Sequence, residues 1–338
     1  LTLDFSLKRQ ERISMVASRL FITVAFCLTA TLAHGAGFKF IDVPAGADGP
    51  AIKGAVWYPC SQPPGEIALG KITLPAVKDC ALPAGKLPLI AVSHGRGGSF
   101  VGHHDTDEVL ADAGFIVAAV NHPGDTASDL SRSGDLAAFI ERPTDIKRLI
   151  DFMTGASAFA DRIDPERIGF FGFSRGGYTG LVLLGANPDW DNATTLCRQS
   201  TGSICQQILR KEFPAQPLTH DPRIRAAVIA DPLPIFFTAD SVAPIKVPLQ
   251  LWASERGGDG VSPPDVVAVD RNLSIAHEFR VVPNSGHFAF FAPCPPAIAT
   301  EVPEICADAP GFDRVAFHKQ FDADVLVFFR SQLTKASP

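Results

Sequence analysis

The chain has 338 residues, 46% hydrophobic and 20% charged, a composition that supports a large buried core. Its net charge of −6 supplies no basic surface for nucleic acid or an anionic membrane. From Met15 a basic Arg19, an apolar stretch from Leu20 to Leu32 and small residues around Ala33-His34-Gly35-Ala36 read as a signal peptide. That apolar stretch falls short of the roughly 20 residues a membrane span needs, so no anchor is expected once it is removed. Residues 1–35 are therefore set apart as an upstream segment and signal, and 36–338 are read as one domain.

Two short alternating runs, 37–43 and 52–58, predict an edge hairpin or meander. Residues 59–86, rich in proline, read as a long surface loop. Leu87 to Ser93 is apolar throughout, as expected of a strand buried on both faces, and runs into His94-Gly95-Arg96-Gly97-Gly98. A helical pattern over 105–113 follows, then a second buried strand over 115–120. Residues 124–138 read as a polar surface loop, and 143–153 as an amphipathic helix. Ile168 to Phe171 predicts the next strand and the run after Ser174, to about Gly185, a helix. The polar stretch 186–222 interrupts this rhythm and reads as a cap or lid over the strand ends. Strands are expected again at 224–230, 248–253 and 278–282, helices at 265–273 and 314–333. Alternation at this spacing predicts an α/β fold with a mostly parallel sheet flanked by helices.

Cys27 lies inside the presumed signal. The other six cysteines fall as sequence neighbours, each pair bracketing a loop-like stretch, which predicts Cys60–Cys80, Cys197–Cys205 and Cys294–Cys306. Bridges of this kind belong to an oxidising compartment, here the periplasm or the exterior. A metal is not expected, since no Cys-x-x-Cys or His-rich spacing accompanies the cysteines.

The chemistry centres on Gly172-Phe173-Ser174-Arg175-Gly176, a Gly-x-Ser-x-Gly pattern between a predicted strand and a predicted helix. A strained turn of this kind lifts a serine hydroxyl clear of the sheet. The hydroxyl needs a base, and that base needs a carboxylate to fix its tautomer. Of nine histidines, His287 follows a late strand on the loop Asn284-Ser285-Gly286-His287. Asp259, in the loop after the 248–253 strand, is placed first as the carboxylate, with Asp231 and Glu255 as alternatives. The backbone N–H groups of Arg96 and Arg175 are the expected oxyanion donors, one on the glycine-rich turn and one after the nucleophile. Such a device needs no cofactor. A non-catalytic binding protein on the same fold is the rival reading, and the complete set of candidates argues against it.

The serine turn, Ser93-His94-Gly95-Arg96-Gly97-Gly98, Gly114 to His122 and Asn284-Ser285-Gly286-His287-Phe288 together resemble the predicted dienelactone-hydrolase group of α/β-hydrolases. They are also similar to the secreted platelet-activating-factor acetylhydrolases. The likeness runs from about residue 38 to 333. Its motifs are specific for the superfamily and not for a substrate. True dienelactone hydrolases use a cysteine where this chain has Ser174. The acetylhydrolases carry their acid after the strand that here ends at Asp231; the bacterial group resembles this chain in an acid after the next strand, where Asp259-Gly260-Val261-Ser262-Pro263 has the Asp-x-Val-x-Pro form. With the signal and cysteines, these motifs are read as an exported serine hydrolase of carboxylic esters. The 186–222 insertion and Phe288, Phe290 and Phe291 after the histidine suggest an apolar, partly covered pocket for short to medium acyl chains. Phospholipid-type and polyester-degrading relatives share the framework.

Overall fold

The computed structural model describes residues 35–198 and 200–334. The predicted signal, with Cys27, lies outside the described residues. Among the described residues ten strands form one sheet, in the order β10-β9-β8-β7-β5-β6-β2-β1-β4-β3. In chain order these are β1 (Gly37–Val43), β2 (Ile52–Tyr58), β3 (Gly65–Leu69), β4 (Ile72–Lys78), β5 (Leu87–Ser93), β6 (Ile116–Val120), β7 (Ile163–Phe173), β8 (Ile224–Ala230), β9 (Leu249–Ser254) and β10 (Glu278–Val282). The strands from β6 and β5 through β7 to β10 pair in parallel, whereas β2 joins β1 and β6 antiparallel.

The helices are α1 (His104–Asp112), α2 (Ala138–Gly155), α3 (Arg175–Leu183), α4 (Trp190–Cys197), α5 (Ser203–Leu209), α6 (Ala239–Val242), α7 (Pro263–Asn272), α8 (Pro296–Glu301), α9 (Pro303–Cys306) and α10 (Arg314–Leu333). Adjacent residues of β7 show how the two layers of core divide. Phe170 faces the layer containing Leu149 of α2 and Leu181 of α3. Phe171 faces the layer containing Leu110 of α1 and Phe329 of α10. The period of two along a strand buried on both faces produces this division.

Three readings of the sequence are corrected. The 59–86 stretch is not a plain loop: β3 and β4 form a hairpin about Gly70-Lys71, with Gly70 at φ 63°, and β4 adds to β1 in parallel. The 124–138 segment carries turns but is not a simple surface loop, since Asp125, Thr126, Ser133 and Leu136 are buried. Helix α2 also starts earlier than 143 and holds Pro143 inside it. Among the described residues the disulfides are Cys60–Cys80, Cys197–Cys205 and Cys294–Cys306, the neighbour pairing the spacing predicts. No described helix is long and apolar enough to cross a membrane.

Candidate active site

Strand β7 delivers Ser174 at its end and α3 begins at the next residue, Arg175. Ser174 has φ 56° and ψ −118°, a strained backbone for a residue with a side chain. The flanking glycines make this turn possible. A Cβ on Gly176 would stand 1.9 Å from the Ser93 carbonyl oxygen, and one on Gly172 would stand 2.3 Å from that of Gly176. The Ser174 amide donates to Ala230 and its carbonyl accepts from Leu233, so β8 and the chain after it lock the turn. The N-terminus of α3, with its positive dipole end, begins beside the hydroxyl.

His287 opens a short 3-10 turn after β10, and its own amide donates to the Gly257 carbonyl. The Ser174 hydroxyl lies 2.9 Å from His287 Nε2, with the geometry to donate to it. On the far side of the ring, Nδ1 lies 2.7 Å from Asp231 Oδ2, which accepts its proton. This arrangement fixes the neutral tautomer with the proton on Nδ1 and the lone pair facing Ser174. The ring stacks on Phe173 with centroids 4.6 Å apart, which limits its rotation.

The carboxylate at His287 is therefore Asp231 and not Asp259. Asp231 directly follows β8, is fully buried, and accepts from the Ser254 amide at 2.8 Å and the Ser254 hydroxyl at 2.7 Å. Asp259 sits on the tip of a tight turn closed by the Gly258–Val261 bridge, with φ 45°. That turn sends its side chain outward, 37% exposed, to a 4.0 Å ion pair with Arg96. Glu255 accepts from the Asn284 amide and braces the histidine loop from outside.

The other half of the expected device is the turn after β5. Its Gly97 amide donates to Asp125 and its Gly98 amide to the Gly95 carbonyl. A Cβ on Gly95 would lie 3.2 Å from the Ser174 Cβ, so this turn passes close against the serine.

Comparison with known proteins bears on the fold. The described fold superposes on a ferulic acid esterase from Streptomyces cinnamoneus with a TM-score of 0.61, covering 92% of this chain and 93% of that one at 20% identity. The chain has the α/β-hydrolase fold. A sequence model of the prolyl oligopeptidase family matches residues 103–193, and one of platelet-activating factor acetylhydrolase, isoform II, matches residues 65–133. A Nocardia uniformis subsp. tsuyamanensis protein, described as "Putative esterase NocK", is 35% identical over 114 residues. That match covers 32% of this chain, which spans 32% of the curated relative's length.

Arg96 and Phe288, chain neighbours of Gly95 and His287, help line a cavity of about 680 Å³. Phe288 and Phe291, stacked with centroids 5.8 Å apart, share one wall, and Gly97, Ile298 and Ile305 also line it. None of its lining residues comes from 186–222. That insertion instead packs Trp190 against Phe139 and Phe236, and Gln207 donates to the Gly134 carbonyl. The wall over the cavity is the loop held by Cys294–Cys306, with Ile72 from the β3–β4 turn.

A second Ser–His–Asp array lies at the end of β5, beside the glycine-rich turn. The Ser93 hydroxyl is 2.9 Å from His122 Nε2, and His122 Nδ1 is 3.0 Å from Asp145 Oδ2. Ser93 is fully buried and Arg142 donates to its oxygen, so no substrate reaches it. Burial, with Arg142 next to it, pushes His122 well below its ordinary pKa, which keeps the ring neutral. The array is a buried polar brace. Asp125 and Arg142 were not singled out in the sequence. The signal available for Asp125 was its place just after a buried strand, in His122-Pro123-Gly124-Asp125.

Proposed function

We propose that the protein is an exported serine hydrolase that cleaves carboxylic esters of short to medium acyl chain through an acyl-enzyme. The observation that carries this reading is the continuous hydrogen-bonded line Ser174 Oγ–His287 Nε2, His287 Nδ1–Asp231 Oδ2. Ser174 attacks the ester carbonyl as His287 takes its proton. The carbonyl oxygen becomes an oxyanion held by the backbone N–H groups of Arg96 and Arg175. His287 then returns the proton to the leaving alkoxide, and the alcohol departs. Water, deprotonated by the same histidine, hydrolyses the acyl-serine and restores the hydroxyl. Asp231 stays ionised and stabilises the imidazolium that forms in each half-reaction.

The cavity's volume of about 680 Å³ and its Phe288–Phe291 wall favour acyl groups of limited length over extended lipid chains. Export is supported by the three disulfides. Hydrolysis of p-nitrophenyl esters from C2 to C12 tests the whole reading. Turnover should peak at short to medium chains and vanish in Ser174→Ala. Full turnover in that variant, or a preference for emulsified long-chain lipid, contradicts it.

A further inference from the structure

The two amides assigned to the oxyanion lie on separate elements, the turn after β5 and the start of α3. One buried side chain is bonded next to both. Asp125 Oδ1 accepts from the Gly97 amide at 3.0 Å, one residue beyond Arg96. Asp125 Oδ2 accepts from Arg175 Nη1 at 2.8 Å, and Arg175 is itself the second donor residue. The same oxygen accepts from Arg142 Nη1 at 2.8 Å. Arg142 in turn donates to Ser93 Oγ and to the His94 carbonyl, at the base of the glycine-rich turn. Arg175 is held further by the Ser133 carbonyl at 2.9 Å and lies over the Phe139 ring at 4.8 Å. Asp125, Arg142 and Arg175 are all nearly inaccessible to solvent.

We propose that Asp125 is a positioning residue for the oxyanion site, joining the Gly97 amide to the Arg175 guanidinium so that the Arg96 and Arg175 N–H groups converge on one point. The inference rests on the esterase reading above and goes beyond it. Burial raises the Asp125 pKa, but Arg142, Arg175 and the Gly97 amide outweigh it and hold the carboxyl below its ordinary range, so it stays an acceptor at both oxygens. Electrostatic preorganisation depends on donors that do not move as charge develops. A neutral amide in this place keeps the bond to Gly97 and loses the charged hold on Arg175. The donors then lose their register while Ser174, His287 and Asp231 remain in place. Asp125 touches no reacting atom.

The test is Asp125→Asn in the full chain, with active sites titrated by a fluorophosphonate and kcat, KM and the pH profile measured on a short-chain ester. The expected result is a fall in kcat of about 10–100-fold, below the 10²–10³ typical of deleting a donor outright. KM should stay within about threefold and the profile's midpoint should not move. Affinity for a boronic acid that mimics the oxyanion should fall in step with kcat/KM. Arg175→Met breaks the same bond from the other side and should show the same pattern if Asp125→Asn does not fold. The inference is overturned if titrated kcat stays within about threefold in both variants or if KM carries the loss. Failure of both to fold overturns it too, assigning the carboxylate to folding. Absence of ester turnover in the unmodified protein, or its persistence in Ser174→Ala, would instead overturn the esterase reading itself.

Discussion

Asp231 Oδ2 stands 2.7 Å from His287 Nδ1, at the end of a strand 56 residues earlier in the chain. The bond is anchored on both sides. Ser254 donates its amide and its hydroxyl to the carboxylate, and its hydroxyl oxygen accepts from the Gly257 amide. The Gly257 carbonyl in turn accepts the His287 amide. Asp231→Asn should therefore lower kcat by about 10³–10⁴-fold, because the amide favours the wrong imidazole tautomer. Asp259→Asn should cost less than about tenfold. Equal losses in the two variants, measured on one ester at one pH, would remove Asp231 from this role.

The Ser93–His122–Asp145 array has nearly the same distances as the Ser174 one, but Ser93 is wholly covered whereas Ser174 keeps 5% of its surface exposed. A fluorophosphonate should therefore modify Ser174 and leave Ser93 untouched, as peptide mapping would show. Adduct on Ser93 in the folded protein would mean that the array opens.

Cys294–Cys306 closes a loop with a sequence separation of 12, and that loop forms the cavity wall. Replacing both cysteines by serine should lower stability by about 3 kcal/mol through chain entropy. The freed wall should also raise KM on medium-chain esters more than it changes kcat. A kcat loss at constant KM would show that the loop acts on the triad and not on the cavity.

His103 packs among Phe171, Phe173 and Phe291, and its Nδ1 donates to the Phe290 carbonyl in the 3-10 turn that His287 opens. Burial brings its pKa down to about 4, helped by His318 and His104 and opposed by Asp105 and the Phe290 carbonyl. The unfolded chain takes up this proton near 6.5 while the folded one does not. The stability this group contributes is thus complete above 6.5 and is lost as pH falls toward 4. The stability difference between the wild type and His103→Gln should shrink over that window by up to about 3 kcal/mol. A difference that does not change with pH contradicts the account.

Most of the framework was legible because buried strands and the serine turn leave strong local patterns. Ile168 to Phe171 followed by Gly-x-Ser-x-Gly needs no distant partner to be read. The acid was harder, since Asp231 and Asp259 both follow strands between Ser174 and His287. What separates them is reach. Asp231 leaves β8 with no intervening residue, whereas Gly257, Gly258 and Gly260 turn Asp259 back on itself. The Asp259-Gly260-Val261-Ser262-Pro263 resemblance favours Asp259 along the chain, and only the spatial bond to His287 selects Asp231. The β3–β4 hairpin was hidden by the prolines around it, although Glu66 to Leu74 alternates about a Gly-Lys turn. The role of Asp125 depends on Gly97, Arg142 and Arg175 meeting in space, and no spacing along the chain encodes that meeting.

The most direct measurement is pre-steady-state hydrolysis of p-nitrophenyl acetate, with the modified residue located after acid quench. A burst stoichiometric with enzyme, an acetyl group on Ser174, and loss of both in His287→Ala are the predicted results. Steady turnover with no acyl-serine, or acetyl on another residue while ester cleavage continues, would contradict the account.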